Sequence, residues 1–179
     1  MKFSLRPFGE TDAGPALAIA GSIGRRRDIL SFRCTLRGHL SALSVPGREA
    51  PARRDRLWEG TCFELFLGAA GTAEYWEFNL SPAGHWNVYR FDSYRDGMRE
   101  EAAFASLPFD VLADAEALRL SVDIDLGKIL PPEKTLDVGV CAVVRMRAGD
   151  VGHWALAHPG PRPDFHRRDG FRLKVSAFA

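Results

Sequence analysis

The stretch LWEGTCFELFLGAAGTAEYWEFNLSPAGHWNVYRFDSYRD, Leu57 to Asp96, decides the fold. Thr61–Leu67 alternates with the period of two that a half-buried strand requires. Phe63, Leu65 and Leu67 point one way; Cys62, Glu64 and Phe66 point the other. Gly68 to Thr72 supplies residues that tolerate positive φ, and so a turn. Glu74–Leu80 alternates again, with Trp76, Phe78 and Leu80 on one face and Tyr75, Glu77 and Asn79 on the other. Ser81-Pro82-Ala83-Gly84 is a second turn. His85–Tyr94 is a third strand, on which Tyr89 shares a face with Asn87. Hairpin pairing that keeps the apolar faces together puts Glu64, Glu77 and Asn79 on one surface. Cross-strand neighbours there lie ~5 Å apart and diagonal ones ~7–8 Å. Trp76 and Trp86 are expected in the core, while Trp58 stands beside a loop.

Period-two runs recur outward from this stretch. Lys2–Phe8, Asp28–Arg37, Leu107–Leu112, Ala117–Ile124, Leu136–Arg147, His153–Ala157 and Gly170–Phe178 all read as strands, with Leu40–Val45 a short addition. Ala16–Ile23 is an apolar run bounded by Gly14 and Pro15, too short and Gly-broken for a firm helix. Gly97–Ser106 reads as loop or a helical turn. Asp125–Leu130 reads as a short helix capped by Asp125 and stopped by Pro131-Pro132. About ten strands with little helix and turn signals every 8–12 residues predict an all-β, jelly-roll-like antiparallel β-sandwich, one domain over residues 1–179.

Composition narrows the function classes. The 179 residues carry 46% hydrophobic and 26% charged side chains and a net charge of +1. Such a balance argues against a nucleic-acid or acidic-membrane partner. Arg25-Arg26-Arg27 and Arg53-Arg54 read as solvated loops. No apolar run approaches a membrane span, and the N-terminus lacks the apolar core of a secretory signal. Cys34, Cys62 and Cys141 each sit inside a strand-like run, the pattern of reduced buried thiols in a cytoplasm.

Three segments carry a resemblance: TCFELFL, YWEFNLSPAGHWNVYRFDSYR and WALAHPGPRPDFHRRDGF. Together they resemble the bacterial DOMON-like group and, more broadly, the family 9 carbohydrate-binding modules. The resemblance runs from about Ile29 to the end of the chain. It implies a ligand site on the concave sheet and its loops, where relatives bind sugars or haem. In the sugar binders two aromatic side chains sandwich the ring, and a Glu and an Asn or charged group bind its hydroxyls. Carried over, these are Trp58, Glu64, and Glu77 or Asn79, with Trp154 or Phe165 as the second aromatic.

The expected site is therefore Trp58 for stacking, Glu64, Glu77 and Asn79 for hydroxyls, Tyr89 on the same face, and Arg90, Trp154, His158 and Phe165 around it. The expected activity is non-catalytic binding of a small polar ligand, a saccharide, with no cofactor. Alternatives stay open. Glu64 and Glu77 could act as a glycosidase pair. Met98, Met146 and the histidines could serve haem. His153, His158, Asp164 and His166 could hold a divalent metal. A sheet face could dock a protein partner. Arg90 and Asp92 are expected to pair with each other.

Overall fold

The structure is a computed structural model and describes residues 1–9 and 16–176. Gly14 and Pro15, and the last two residues of the expected final strand, lie outside the described residues. Among the described residues thirteen strands form two antiparallel sheets packed as a jelly-roll-type β-sandwich. The smaller sheet runs β1 (Lys2–Ser4), β3 (Ala18–Arg26), β4 (Ile29–Arg37), β10 (Ala117–Asp125) and β9 (Phe109–Ala113). The larger runs β2 (Arg6–Pro7), β12 (Val151–Ala155), β11 (Leu136–Arg145), β5 (Cys62–Ala69), β6 (Tyr75–Leu80), β7 (Trp86–Phe91) and β8 (Arg99–Glu100). β13 (Leu173–Val175) pairs with the start of β11.

The core sits between the sheets and follows the alternation in the sequence. Phe63, Leu65, Leu67, Trp76, Phe78, Leu80, Trp86 and Val88 face it from the larger sheet. Leu30, Phe32, Cys34, Leu36, Leu118, Leu120, Val122 and Ile124 face it from the smaller. Burying one such side chain is worth roughly 1.5–3 kcal/mol, so the two-faced pattern fixes which way each strand turns.

Several expectations are corrected. Lys2–Phe8 is not one strand. The chain changes sheets at Leu5, whose amide donates to Ile19 O at 2.8 Å, and Pro7 sits on the edge of the larger sheet, where a missing N–H is tolerated. Ala16–Ile23 enters β3. Leu40–Val45 is a 3-10 turn at Leu40–Ala42 followed by a single bridge from Leu43 to Met146. Gly97–Ser106 contributes the two-residue β8. The expected helix after Asp125 is one 3-10 turn, Leu126–Lys128, capped as expected by Asp125 Oδ1 accepting from Gly127 N at 3.1 Å. Arg25 is not a solvated loop residue: it is buried on β3 and donates from Nη1 to Lys134 O at 2.6 Å. Arg53 lies with its guanidinium 4.5 Å over the Trp86 ring. Cys34, Cys62 and Cys141 are free and buried.

Candidate functional site

The outer face of the larger sheet carries a second, smaller cluster of buried aromatics. Phe66, Tyr75, Tyr89, Phe91, Cys141, Ala155 and Phe171 are buried there, with Trp58 and Phe165 packed against them. The register sets the rows. Glu64 stands between Cys141 on β11 and Asn79 on β6, and Asn79 stands opposite Asn87 on β7. In the next row Glu77 stands between Phe66 and Tyr89. Glu64, Glu77 and Asn79 thus share one surface, as the alternation implied.

A covering segment, residues 156–172, lies over this face. Two glycines of the sheet make room for it. A Cβ on Gly139 would stand 2.9 Å from the Phe171 ring, and one on Gly68 would overlap the Arg168 guanidinium. Arg168 is anchored by donating to Ala69 O at 3.0 Å and Asp137 Oδ2 at 3.2 Å. His166 sits edge-on to Phe66 and to Phe91, with ring centroids 5.1 Å away in each case. Its Nδ1 lies 2.8 Å from Tyr75 OH, and Tyr75 OH accepts from the Arg95 amide at 3.2 Å. That arrangement leaves the phenol proton for Nδ1 and places the imidazole proton on Nε2, which lies 3.8 Å from Glu77 Oε2. Arg95 occupies the left-handed region at φ 54°, a strained place for a side-chain-bearing residue. Its guanidinium reaches Asp164 at 2.9 Å and so ties the turn after β7 to the covering segment.

Between the sheet and these segments is a cleft of about 350 Å³ lined by Trp58, Glu64, Glu77, Phe91, Arg95, Met98, Val143, His153, Pro163, Phe165 and His166. This volume lies at the lower end of small-molecule sites, ~300–1,000 Å³. Trp58 comes from the 3-10 turn Leu57–Glu59 and meets Tyr89 edge-on at 5.8 Å. Glu64 and Glu77 are both 4% exposed. Glu77 Oε1 accepts from Asn79 Nδ2 at 2.8 Å. The Glu64 carboxyl receives no hydrogen bond from the described residues; what acts on it is burial and charge. Burial, reinforced by the neighbouring Glu77, pushes the Glu64 carboxyl well above the ordinary range. Burial lifts Glu77 to about 7 against the opposing pull of its Asn79 hydrogen bond. Burial also lowers His166 to about 4 and holds His153 below its ordinary value. Near neutral pH the Glu64 carboxyl and both imidazoles at the cleft floor are thus uncharged, while Glu77 is about half ionised.

The expected site residues divide. Trp58, Glu64, Glu77 and Phe165 line the cleft together. Asn79 and Tyr89 are on the same face but buried beneath it. Asn79 holds Glu77, and Tyr89 supports Trp58 while donating to Asp55. His158 stands behind Phe165, edge-on to Phe8 at 5.2 Å, with its Nε2 2.9 Å from Arg6 O. Two expectations are corrected by register. Trp154, opposite Ala142 and Pro7, points into the sandwich core. Arg90, opposite Trp76, lies on the core-facing side with its guanidinium 5.6 Å from the Trp76 ring, and it pairs with Glu74. Asp92 pairs with Arg99 at 2.8 Å, not with Arg90.

The cleft also includes Phe91, Arg95 and Val143, which the sequence did not single out, and Met98, expected there only as a haem ligand. Phe91 and Val143 had a local signal, being two positions from Tyr89 and from Cys141 on the same faces. Arg95 and Met98 sit in turns and had none. Among the described residues no three His, Cys, Asp or Glu side chains converge to hold a metal ion. For haem, His166 is already engaged at Nδ1 and Met98 is 47% exposed at the rim, leaving His153 as the cleft's one unengaged imidazole among the described residues.

No protein-family model matches the chain, and no curated protein sequence matches it. Solved structures do. A candidate carbohydrate-binding protein from Bacteroides uniformis superposes with a TM-score of 0.70 at 15% identity, covering 99% of this chain and 86% of that one. A family 9 carbohydrate-binding module from Caldicellulosiruptor kristjanssonii, solved with glucose, superposes with a TM-score of 0.50 at 9% identity, covering 93% and 80%. At these identities the likeness shows a shared β-sandwich fold.

Proposed function

We propose that this protein is a carbohydrate-binding module of the DOMON-like type, non-catalytic, taking a saccharide unit in the cleft on its larger sheet. One observation carries the reading: Trp58 and Phe165 line the same cleft as the buried carboxyls Glu64 and Glu77. A pyranose presents an apolar C–H face that stacks on aromatic rings and a rim of hydroxyls that carboxyl groups bind as acceptors, or as donors when protonated. The names of the two structural neighbours support the same ligand class. Three buried free cysteines support a reducing compartment, the cytoplasm.

The test is a thermal-shift panel of mono- and oligosaccharides. A ligand at a hundred times its dissociation constant adds about 2.7 kcal/mol of stability. For a chain of this length that raises the melting temperature by about 5–10 °C. Silence across the panel would sink the proposal. A second reading, glycoside turnover, is favoured by the elevation of Glu77 to about 7, a value suited to a general acid. Release of a leaving group from any shifting glycoside would move the assignment from module to enzyme.

A further inference from the structure

The cleft floor holds a pair of acids that the protein does not neutralise. Other carboxylates around this face are matched with cations: Asp92 with Arg99, Asp137 with Arg168 and Lys174, and Asp164 with Arg95. Glu64 is different. It is 96% buried by virtue of its 4% exposure, it lines the cleft, and no described residue hydrogen-bonds it. Glu77 is bound at Oε1 alone by Asn79, and its Oε2 is left 3.8 Å from His166 Nε2.

Of the other titratable groups around the pair among the described residues, Arg95 alone brings positive charge, and its pull on the two acids is outweighed by burial. Arg95, the cation of the cleft lining, is already matched by Asp164 at 2.9 Å. His153 from β12 and His166 from the covering segment are held neutral by burial. Cys62 on β5 and Cys141 on β11, beneath the acids, stay protonated thiols, and burial holds Tyr75 as a neutral phenol. The rings of Trp58, Phe91 and Phe165 line the same cleft.

Resting on the carbohydrate reading, we infer that the preferred ligand is an amino sugar whose protonated amine sits on Glu64 and Glu77 in this aromatic-lined cleft. An ammonium brings three N–H donors and the missing positive charge, whereas a hydroxyl in the same place brings one donor and none. Aromatic faces add cation–π attraction, which strengthens where water is excluded. The balance of the event is simple. An ammonium enters and a carboxyl proton leaves to solvent, so the new ion pair replaces a protonated acid and no covalent bond changes. N-acetylation removes the charge and should remove the gain.

Titration calorimetry near neutral pH tests this with matched pairs: glucose and glucosamine, galactose and galactosamine, mannose and mannosamine, with N-acetylglucosamine added. Two buffers of different ionisation heat report proton release. At least one amino sugar is expected to bind about tenfold or more tightly than its hydroxyl parent, with a proton released. Glu64→Gln should bring that ratio towards one; if this variant does not fold, Glu77→Gln makes the same comparison. Parent hexoses that bind as tightly as their amino forms would overturn the ammonium assignment and leave the carbohydrate reading standing. No binding by any member of the panel would overturn both.

Discussion

Asn79 donates from Nδ2 to Glu77 Oε1 at 2.8 Å, two residues along the outer face of one strand. The contact fixes the carboxyl that the cleft presents, and it comes from a side chain that is itself fully buried. Asn79→Ala should leave a buried acid without its donor. A loss of about 1–3 kcal/mol is expected, read from urea unfolding. Unchanged stability would mean that water takes over the Asn79 contact.

Trp58 and Trp154 should respond in opposite ways. Trp58 is half-buried at the cleft, so Trp58→Ala should weaken saccharide binding about tenfold or more while the circular dichroism and melting temperature stay near those of the native protein. Retained affinity in this variant would take Trp58 out of the site.

Trp154, by contrast, is 7% exposed and fills the core between the sheets. Trp154→Ala should cost about 3–5 kcal/mol of stability, measured by chemical denaturation. A small loss accompanied by weakened binding would show that the indole acts from the ligand side instead.

The pH dependence has a defined sign. Glu77 is raised to about 7 from an ordinary 4.5, so the folded chain holds this proton more tightly than the unfolded chain. Its contribution to stability is full below pH 4.5 and is lost as pH rises through about 7. Glu64 acts in the same direction. His166 opposes them: lowered from 6.5 to about 4, it costs stability as pH falls through that window. Comparing wild type with Glu77→Gln removes the opposing term. The stability of wild type relative to the variant should decline between pH 4.5 and about 7. A flat difference across that window would mean that Glu77 titrates as an ordinary surface acid.

The covering segment depends on a missing side chain. Gly68 leaves the space that the Arg168 guanidinium occupies, and the added methyl of Gly68→Ala would overlap it. Displacing Arg168 breaks its contacts to Ala69 O and Asp137. A loss of about 1–2 kcal/mol is expected, with faster amide exchange over residues 165–171. Native exchange rates there would show that Arg168 is not what seats the segment.

Much of this arrangement was legible in the chain. Strict alternation through Thr61–Leu67 and Glu74–Leu80 determined which side chains face the core and put Glu64, Glu77 and Asn79 on one surface. The reason is physical: a pleated strand has period two, and a slip by one residue would exchange every buried side chain for an exposed one. On β7 alternation puts Tyr89 and Arg90 on opposite faces, but which of them turns outward was settled by pairing with β6, which sets Tyr89 opposite Glu77 and Arg90 opposite Trp76. The even-numbered residues of the 138–144 run marked the core face of β11, but which face β12 turned to the core was settled by its pairing, which sent Trp154 inward and His153 outward.

What only the tertiary structure decided is which distant segments close over the acids. Tyr75 and His166 meet from 91 positions apart, and Arg95 reaches Asp164 from a turn with no periodic signal. These contacts follow from the sheet order that places β12 and β11 beside β5, β6 and β7. No local pattern encodes that order, because it arises from long-range strand pairing and from the fit of Phe171 and Arg168 against two glycines. The acids were written in the sequence; the cleft above them exists only once the covering segment is folded across.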